Sequence, residues 1–213
     1  MTQKCKKRMI TVNKFVSIRL ILPIVFTILN IYKISAQERS GIYSNSLVIS
    51  VNDKNKQITG YLWKNIYVDD DIKKGIYFSC YLYFKGYYRS LNDTVQLDIF
   101  DSFDTLSIAK GKLDFVKNEI LLTINKRITA CQNVFDLIGG ESFDLDKKIP
   151  IIYCGRIKSS KAHFYKNNTK SKSYLIKGDF VSILKVLDDN CFVQYYDKNS
   201  KLIEGWIKKI DVE

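Results

Sequence analysis

Apolar and polar residues alternate along much of the chain after residue 40, most clearly in residues 75–85. A period of two places successive side chains on opposite faces of a β-strand. One face of this segment carries Ile76, Phe78, Cys80, Leu82 and Phe84, and the other carries Tyr77, Ser79, Tyr81, Tyr83 and Lys85. The pattern predicts a strand whose first face lies in a hydrophobic core.

The same alternation recurs in short segments that are separated by polar turn residues. It predicts further strands at residues 46–52, 56–65, 94–100, 105–115 and 119–128. Residues 131–138 do not alternate and suit a short helix or an irregular closing segment. Six or seven short antiparallel strands indicate a small β-barrel or sandwich over residues 37–140.

Residues 141–150 are mostly polar and lack strong periodicity, so we expect a linker there. Short strand-like segments follow at residues 151–158, 162–165, 173–176, 180–187, 192–197 and 202–208. They predict a second β domain over residues 151–213. The expected fold class is all-β, and the 12 Phe and 14 Tyr of the chain favour sheet as well.

The first 36 residues have the order of a secretory signal peptide. Six basic residues come first, an apolar run spans residues 20–29, and Ala36 supplies a small residue before Gln37. The apolar run is too short to cross about 30 Å of hydrocarbon comfortably. We expect an exported protein, periplasmic or extracellular. The alternative is an uncleaved anchor, which would be the protein's sole contact with a membrane.

The leader also accounts for more than half of the net positive charge of +12. Seven of the 34 Lys and Arg lie in it, so the rest of the chain carries 27 basic against 22 acidic residues, a net charge of +5. That is an ordinary solubility charge. Nearly all of these basic residues are Lys, whereas base reading favours the bidentate fork of Arg. The composition therefore argues against a nucleic-acid partner.

Four cysteines remain after the leader, namely Cys80, Cys131, Cys154 and Cys191. An even number in an exported chain indicates disulfides, and four cysteines allow three pairings. Since two lie in each half, the economical pairing is Cys80–Cys131 with Cys154–Cys191. Buried free thiols are the alternative for either pair. Their spacing does not match a zinc site, and we expect no metal and no cofactor.

Residues 155–213 resemble bacterial SH3 (SH3b) domains in four successive pieces. Residues 160–165 (SKAHFY) resemble the opening strand and loop, and residues 174–184 (YLIKGDFVSIL) resemble the core around a Gly-Asp turn. Residues 192–196 (FVQYY) resemble the next strand, and residues 204–208 (EGWIK) resemble a closing Gly-Trp strand. The family often has Gly-Trp before the fourth strand, where this chain has Asn190-Cys191, so a ligand role for that Trp does not carry over.

The resemblance implies an SH3-like β-barrel that is non-catalytic and binds a peptidoglycan peptide or a protein partner. Candidate groove residues are Tyr165, Tyr196 and Trp206, although Trp206 could equally serve barrel packing. In the first domain, Tyr77, Tyr81 and Tyr83 form a row on the more polar face of the strand at residues 75–85, and this row is a candidate binding surface. It could instead be a second buried face, covered by another sheet.

Catalysis has little support in the sequence. His163 is the chain's single histidine and sits in a predicted strand, and none of the common nucleophile, phosphate-loop or zinc-protease motifs occurs. A carboxylate pair such as Asp98 and Asp101 leaves a hydrolase as a minor alternative. We expect a non-catalytic binding protein. The alternative is an inhibitor or immunity-type protein that blocks a toxin or wall-degrading enzyme through its N-terminal β domain.

Overall fold

A computed structural model describes residues 39–68, 71–102, 106–129, 131, 133–167, 169–197 and 199–213, and within these ranges the side chains of Ile72 and Tyr77 are left aside. The predicted signal peptide lies outside the described residues. Among the described residues the regular structure is β-strand apart from short 3-10 turns, which confirms the all-β prediction.

The N-terminal part is a closed antiparallel barrel of eight strands. Each strand pairs with the next along the chain, and the first strand closes on the eighth. The strands are β1 (Gly41–Tyr43), β2 (Leu47–Asn52), β3 (Gln57–Tyr67), β4 (Ile76–Tyr87), β5 (Val95–Asp101), β6 (Ala109–Val116), β7 (Glu119–Ile124) and β8 (Glu141–Lys148).

Inward-facing side chains fill the barrel. Leu47, Ile49 and Val51 of β2 are buried among Leu82 and Phe84 of β4, as the alternating pattern requires. Eight strands enclose a space that side chains can fill completely. The interior is therefore a packed hydrophobic core.

Gly60 of β3 makes room for one of the largest of these side chains. Gly60 lies directly opposite Phe84 in the β3–β4 pair. A Cβ at position 60 would come within 2.4 Å of the Phe84 ring. The glycine is thus needed for the ring to lie across β3 inside the barrel.

The segment that we expected to be a linker is strand β8, and the expectation was wrong. Glu141–Lys148 pairs with β7 on one side and with β1 on the other, so it closes the barrel. Phe143 is buried in the barrel core and Leu145 packs against it. Two alternating apolar residues among acidic and basic neighbours are a weak strand pattern. The strand is stabilised in addition by backbone hydrogen bonds to β1 and β7, which form when the barrel closes.

The C-terminal part is a six-stranded antiparallel sheet. The strands are β9 (Tyr153–Arg156), β10 (Lys161–Lys166), β11 (Thr169–Ile176), β12 (Phe180–Leu187), β13 (Asn190–Tyr196) and β14 (Leu202–Lys208). Their order in the sheet is β11–β10–β14–β13–β12–β9. Val212, which follows a 3-10 turn at Lys209–Asp211, forms a bridge with Ile157 beyond β9.

Cys80 and Cys131 form a disulfide, which confirms the first predicted pairing. It ties β4 to the irregular segment that follows β7. Cys154 and Cys191 are buried free thiols, so the second predicted pairing was wrong. Cys191 packs in the core of the C-terminal sheet, whereas Cys154 packs where that sheet meets the barrel. Their side chains therefore belong to different hydrophobic clusters.

None of the helical turns in the described part of the chain is long and apolar enough to span a bilayer.

Replacing Cys80 and Cys131 by Ala should lower the free energy of unfolding by about 4 kcal/mol, because the disulfide closes a long loop in the unfolded chain. The two cysteines are 51 residues apart in sequence. Denaturant titration of wild type and of the double variant measures the difference. The wild-type chain with a reducing agent is the matched control and should lose a similar amount. Equal stability of all three samples would contradict the predicted contribution.

Cys154 and Cys191 should resist thiol reagents in the native protein. Burial raises the pKa of both thiols, that of Cys191 to about 11, so few are thiolate at about pH 8. Labelling with a chromogenic disulfide reagent should be slow in buffer and complete in guanidinium chloride. Fast labelling of the native protein would show that the two sites open readily.

Candidate functional site

The outer face of β3 and β4 is covered by the C-terminal sheet. Tyr61 and Trp63 of β3 are buried in a cluster with Phe180 of β12, and Tyr83 of β4 packs against the same cluster. The Tyr61 and Phe180 rings stack with centroids 5.6 Å apart. Tyr83 therefore belongs to a second packed face that another sheet covers, which was the alternative to an exposed binding surface.

Hydrogen bonds cross the same interface. The barrel side chains involved are short and polar or aromatic, and all but Tyr83 are buried. Cys154 of β9 is held by two of them: its amide donates to the Thr59 hydroxyl at 2.7 Å, and its carbonyl accepts from the Tyr83 hydroxyl at 3.2 Å. The Ser50 hydroxyl donates to the Ile151 carbonyl at 2.9 Å. The hydroxyls of Tyr61 and Ser182 share a hydrogen bond of 3.0 Å. Buried polar groups are costly unless paired, so this network favours one arrangement of sheet on barrel.

Burial also controls the chemistry of these phenols. Desolvation raises the pKa of Tyr61 and of Tyr83 well above the ordinary value. Both hydroxyls therefore stay protonated near neutral pH and act as hydrogen-bonding groups. Tyr61 and Tyr83 therefore have structural roles at this interface.

A groove on the C-terminal sheet contains two of the predicted ligand residues, Tyr165 and Trp206. They lie directly opposite each other across β10 and β14. We call this depression the sheet groove; its volume is about 610 Å³. Its aromatic lining is Phe164, Tyr165, Phe192 and Trp206, and its polar lining includes Lys166, Asn167, Ser171, Asn190 and Glu204.

Neighbouring contacts hold the two groove rings in place. The Phe192 ring meets the Trp206 ring edge-on, with centroids 5.4 Å apart. The Lys208 ammonium lies 5.3 Å from the centroid of the Tyr165 ring. Gly205 lets Phe164 approach β14, because a Cβ there would lie 2.7 Å from Phe164 Cδ1. The groove therefore presents ordered aromatic surfaces with both rings partly exposed.

A second depression lies where the barrel meets the sheet, and it contains the predicted residues Tyr81 and Tyr196. We call it the junction cleft; its volume is about 220 Å³. The Tyr196 ring stacks on Trp63 at 5.0 Å with an interplanar angle of 18°. The lining comprises Tyr61, Trp63, Tyr81, Gly178, Asp179, Phe180, Tyr195 and Tyr196.

The six predicted ligand residues are thus divided among different places. Tyr165 and Trp206 share the sheet groove, and Tyr81 and Tyr196 share the junction cleft. Tyr83 lies at the interface. Tyr77 belongs to β4, but its side chain falls outside the description.

Sequence reasoning missed the other six residues that line the junction cleft, among them Trp63, Asp179 and Tyr195. Trp63 falls in the predicted strand at residues 56–65, on the same face as Tyr61. That pairing of aromatics on an outward face was an available signal. Asp179 was read as a turn residue alone, and nothing local places it beside β3.

The groups considered for catalysis do not form a catalytic arrangement. Nδ1 of His163 lies 3.1 Å from the carbonyl of Ser171, and its ring packs against Tyr174. Asp98 forms an ion pair with Lys110. An odd spacing places Asp98 and Asp101 on opposite faces of β5. Within the described ranges, no cluster of three His, Cys, Asp or Glu residues could hold a metal ion.

Comparisons with protein-family models, with curated proteins and with solved structures find no match for this chain.

Changing Tyr61 to Phe should lower the free energy of unfolding by about 1 kcal/mol, because Ser182 loses a buried hydrogen-bond partner. The matched control is Tyr87→Phe, since Tyr87 is 67% exposed on the neighbouring strand. That variant should stay within about 0.5 kcal/mol of wild type. Denaturant titration measures both. Equal effects would show that the Tyr61–Ser182 bond adds nothing to the interface.

Proposed function

We propose that this is an exported, non-catalytic binding protein whose C-terminal sheet is an SH3-like module that binds a peptide, from the cell wall or from a protein partner, in the sheet groove. The observation that carries the proposal is the pairing of Tyr165 with Trp206 in a groove of about 610 Å³. Ligand sites are typically concave, aromatic and supplied with a few polar groups.

The groove chemistry suits a peptide. Tyr and Trp offer rigid contact area at little entropic cost. Asn167, Asn190 and Ser171 can donate and accept hydrogen bonds, which a peptide backbone requires. Glu204 accepts from the Gln194 amide at 2.5 Å, which fixes a carboxylate near Trp206.

The order of elements supports the SH3-like interpretation. The Gly178-Asp179 turn joins β11 to β12, and the Gly205-Trp206 pair lies in β14, where the resemblance expects them. The Ile157–Val212 bridge brings the end of the chain back to β9, which partly closes the sheet on itself. A small barrel needs such closure.

The Cys80–Cys131 disulfide supports export, because disulfides persist in oxidising compartments. A periplasmic or extracellular location fits both the disulfide and the predicted leader. The inhibitor hypothesis draws less support, because the aromatic outer face of β3 and β4 is covered by the C-terminal sheet. A toxin or enzyme bound by the N-terminal domain would have to contact the strands on the other side of the barrel.

The test is retention of residues 37–213 on insoluble peptidoglycan. Trp206→Ala and Tyr165→Ala should each weaken binding about tenfold or more, as for aromatic hot spots, while circular dichroism stays unchanged. Tyr87→Ala, at an exposed barrel tyrosine, is the matched control and should bind as wild type does.

A second experiment distinguishes a wall peptide from a protein partner as the ligand. Digestion of the peptide stems should abolish retention if the ligand is a wall peptide. Failure of the wild-type chain to bind peptidoglycan would contradict a wall ligand. Unchanged binding by both groove variants would contradict the sheet groove as the site. Tight binding to one soluble enzyme that survives Trp206→Ala would favour the inhibitor hypothesis instead.

A further inference from the structure

The junction cleft contains a carboxylate that has no cationic partner among the described residues. Asp179 Oδ2 accepts from the Ile176 amide at 2.8 Å, and Oδ1 accepts from the Tyr195 hydroxyl at 3.3 Å. No Lys or Arg of the described chain lies within ion-pair distance of it. Burial raises the pKa of Asp179, and hydrogen bonding to Ile176 and Tyr195 offsets part of that effect. A partly buried carboxylate in this state would be stabilised by a cation.

Two tyrosines, Tyr81 and Tyr195, line the cleft together with this carboxylate, and their phenol oxygens can act as acceptors. The Tyr81 hydroxyl donates to Asn65 Oδ1 at 2.9 Å, and the Tyr195 hydroxyl donates to Asp179. Each hydroxyl proton is therefore already directed to another group. Burial is the main cause of the raised pKa of both phenols, and the negative charge of Asp179 adds to it.

The rest of the cleft is aromatic. Trp63 and Tyr196 form a stacked pair, and Tyr61 and Phe180 form another. Aromatic faces attract cations within about 6 Å of the ring centroid. The volume of about 220 Å³ is small for a drug-sized ligand and suits a single side chain or a small amine.

We propose that the junction cleft binds a primary ammonium group, such as the end of a lysine-type side chain. The three N–H donors of an ammonium match three acceptors, namely the Asp179 carboxylate and the phenol oxygens of Tyr81 and Tyr195. The aromatic floor accepts the methylene stem and attracts the charge. An anion would be repelled by Asp179, and a neutral ligand would leave that charge uncompensated. This site is separate from the sheet groove and does not depend on the ligand of that groove.

The first test compares two ligands on the unaltered protein by NMR titration of residues 37–213. The probe is Nα-acetyl-lysine N-methylamide, and the control ligand carries an additional acetyl group on the side-chain nitrogen. We expect the amine to shift the amide signals of Gly178, Asp179 and Phe180 and the indole signal of Trp63. The neutral control should leave them in place. Equal shifts with both ligands would overturn the proposal, as would no shift with the amine.

The second test removes the charge but keeps the turn. In Asp179→Asn the amide oxygen can still accept from Ile176, so the fold should survive, and the amine should bind about tenfold or more weakly, as expected for a lost charge-assisted hydrogen bond. The matched control is Asp136→Asn, because Asp136 also accepts from a backbone amide, that of Gly139, but lies outside the cleft.

Unchanged affinity in Asp179→Asn, or an equal loss in Asp136→Asn, would contradict a local role for the carboxylate. A titration with oligomers of N-acetylglucosamine addresses a sugar ligand. Saturable shifts of the same signals by the sugar, without any by the amine, would assign the cleft to carbohydrate and overturn the ammonium proposal.

Discussion

Burial of β2, β3 and β4 on both faces is the constraint on which the rest of the structure depends. Their inward side chains fill the barrel, and their outward side chains pack against the C-terminal sheet. Tyr61 shows the balance of forces: its ring stacks on Phe180 while its hydroxyl bonds to Ser182. Apolar burial provides the driving force for this contact, and the buried hydrogen bonds give it one geometry.

That contact also creates the junction cleft, whereas the sheet groove has a separate origin. Trp63 and Tyr81 of the barrel line this cleft together with Asp179, which precedes β12 of the sheet. The sheet groove depends on cross-strand packing within the sheet, where Gly205 admits Phe164 and Trp206 faces Tyr165. Both sites consist of ordered aromatic rings and fixed hydrogen-bonding groups. Such surfaces suit recognition, and the protonated tyrosines of the interface serve as packing and bonding groups.

Local patterns predicted the strands well where one face was strongly apolar. Residues 75–85 form the predicted strand, and Cys80, Leu82 and Phe84 of its apolar face are buried in the barrel core, whereas Ile76 at the start of β4 is 43% exposed. Local patterns failed to predict the strand at Glu141–Lys148. There Phe143 and Leu145 alternate among charged residues, and backbone pairing with β1 and β7 decides the structure. They failed again at Cys154 and Cys191, because an even count of cysteines says nothing about which cluster each side chain enters.

By itself, the sequence determined that the chain is all-β and which face of each well-patterned strand enters the barrel core, because a period of two is a local property. It offered Cys80–Cys131 as one of three possible pairings, and the tertiary structure selected it. The tertiary structure decided that the barrel closes with eight strands, that Tyr83 is packed while Tyr81 lines a cleft, and that Asp179 lies beside aromatic rings of β3. Those outcomes depend on contacts between residues about a hundred positions apart, and no local pattern encodes them.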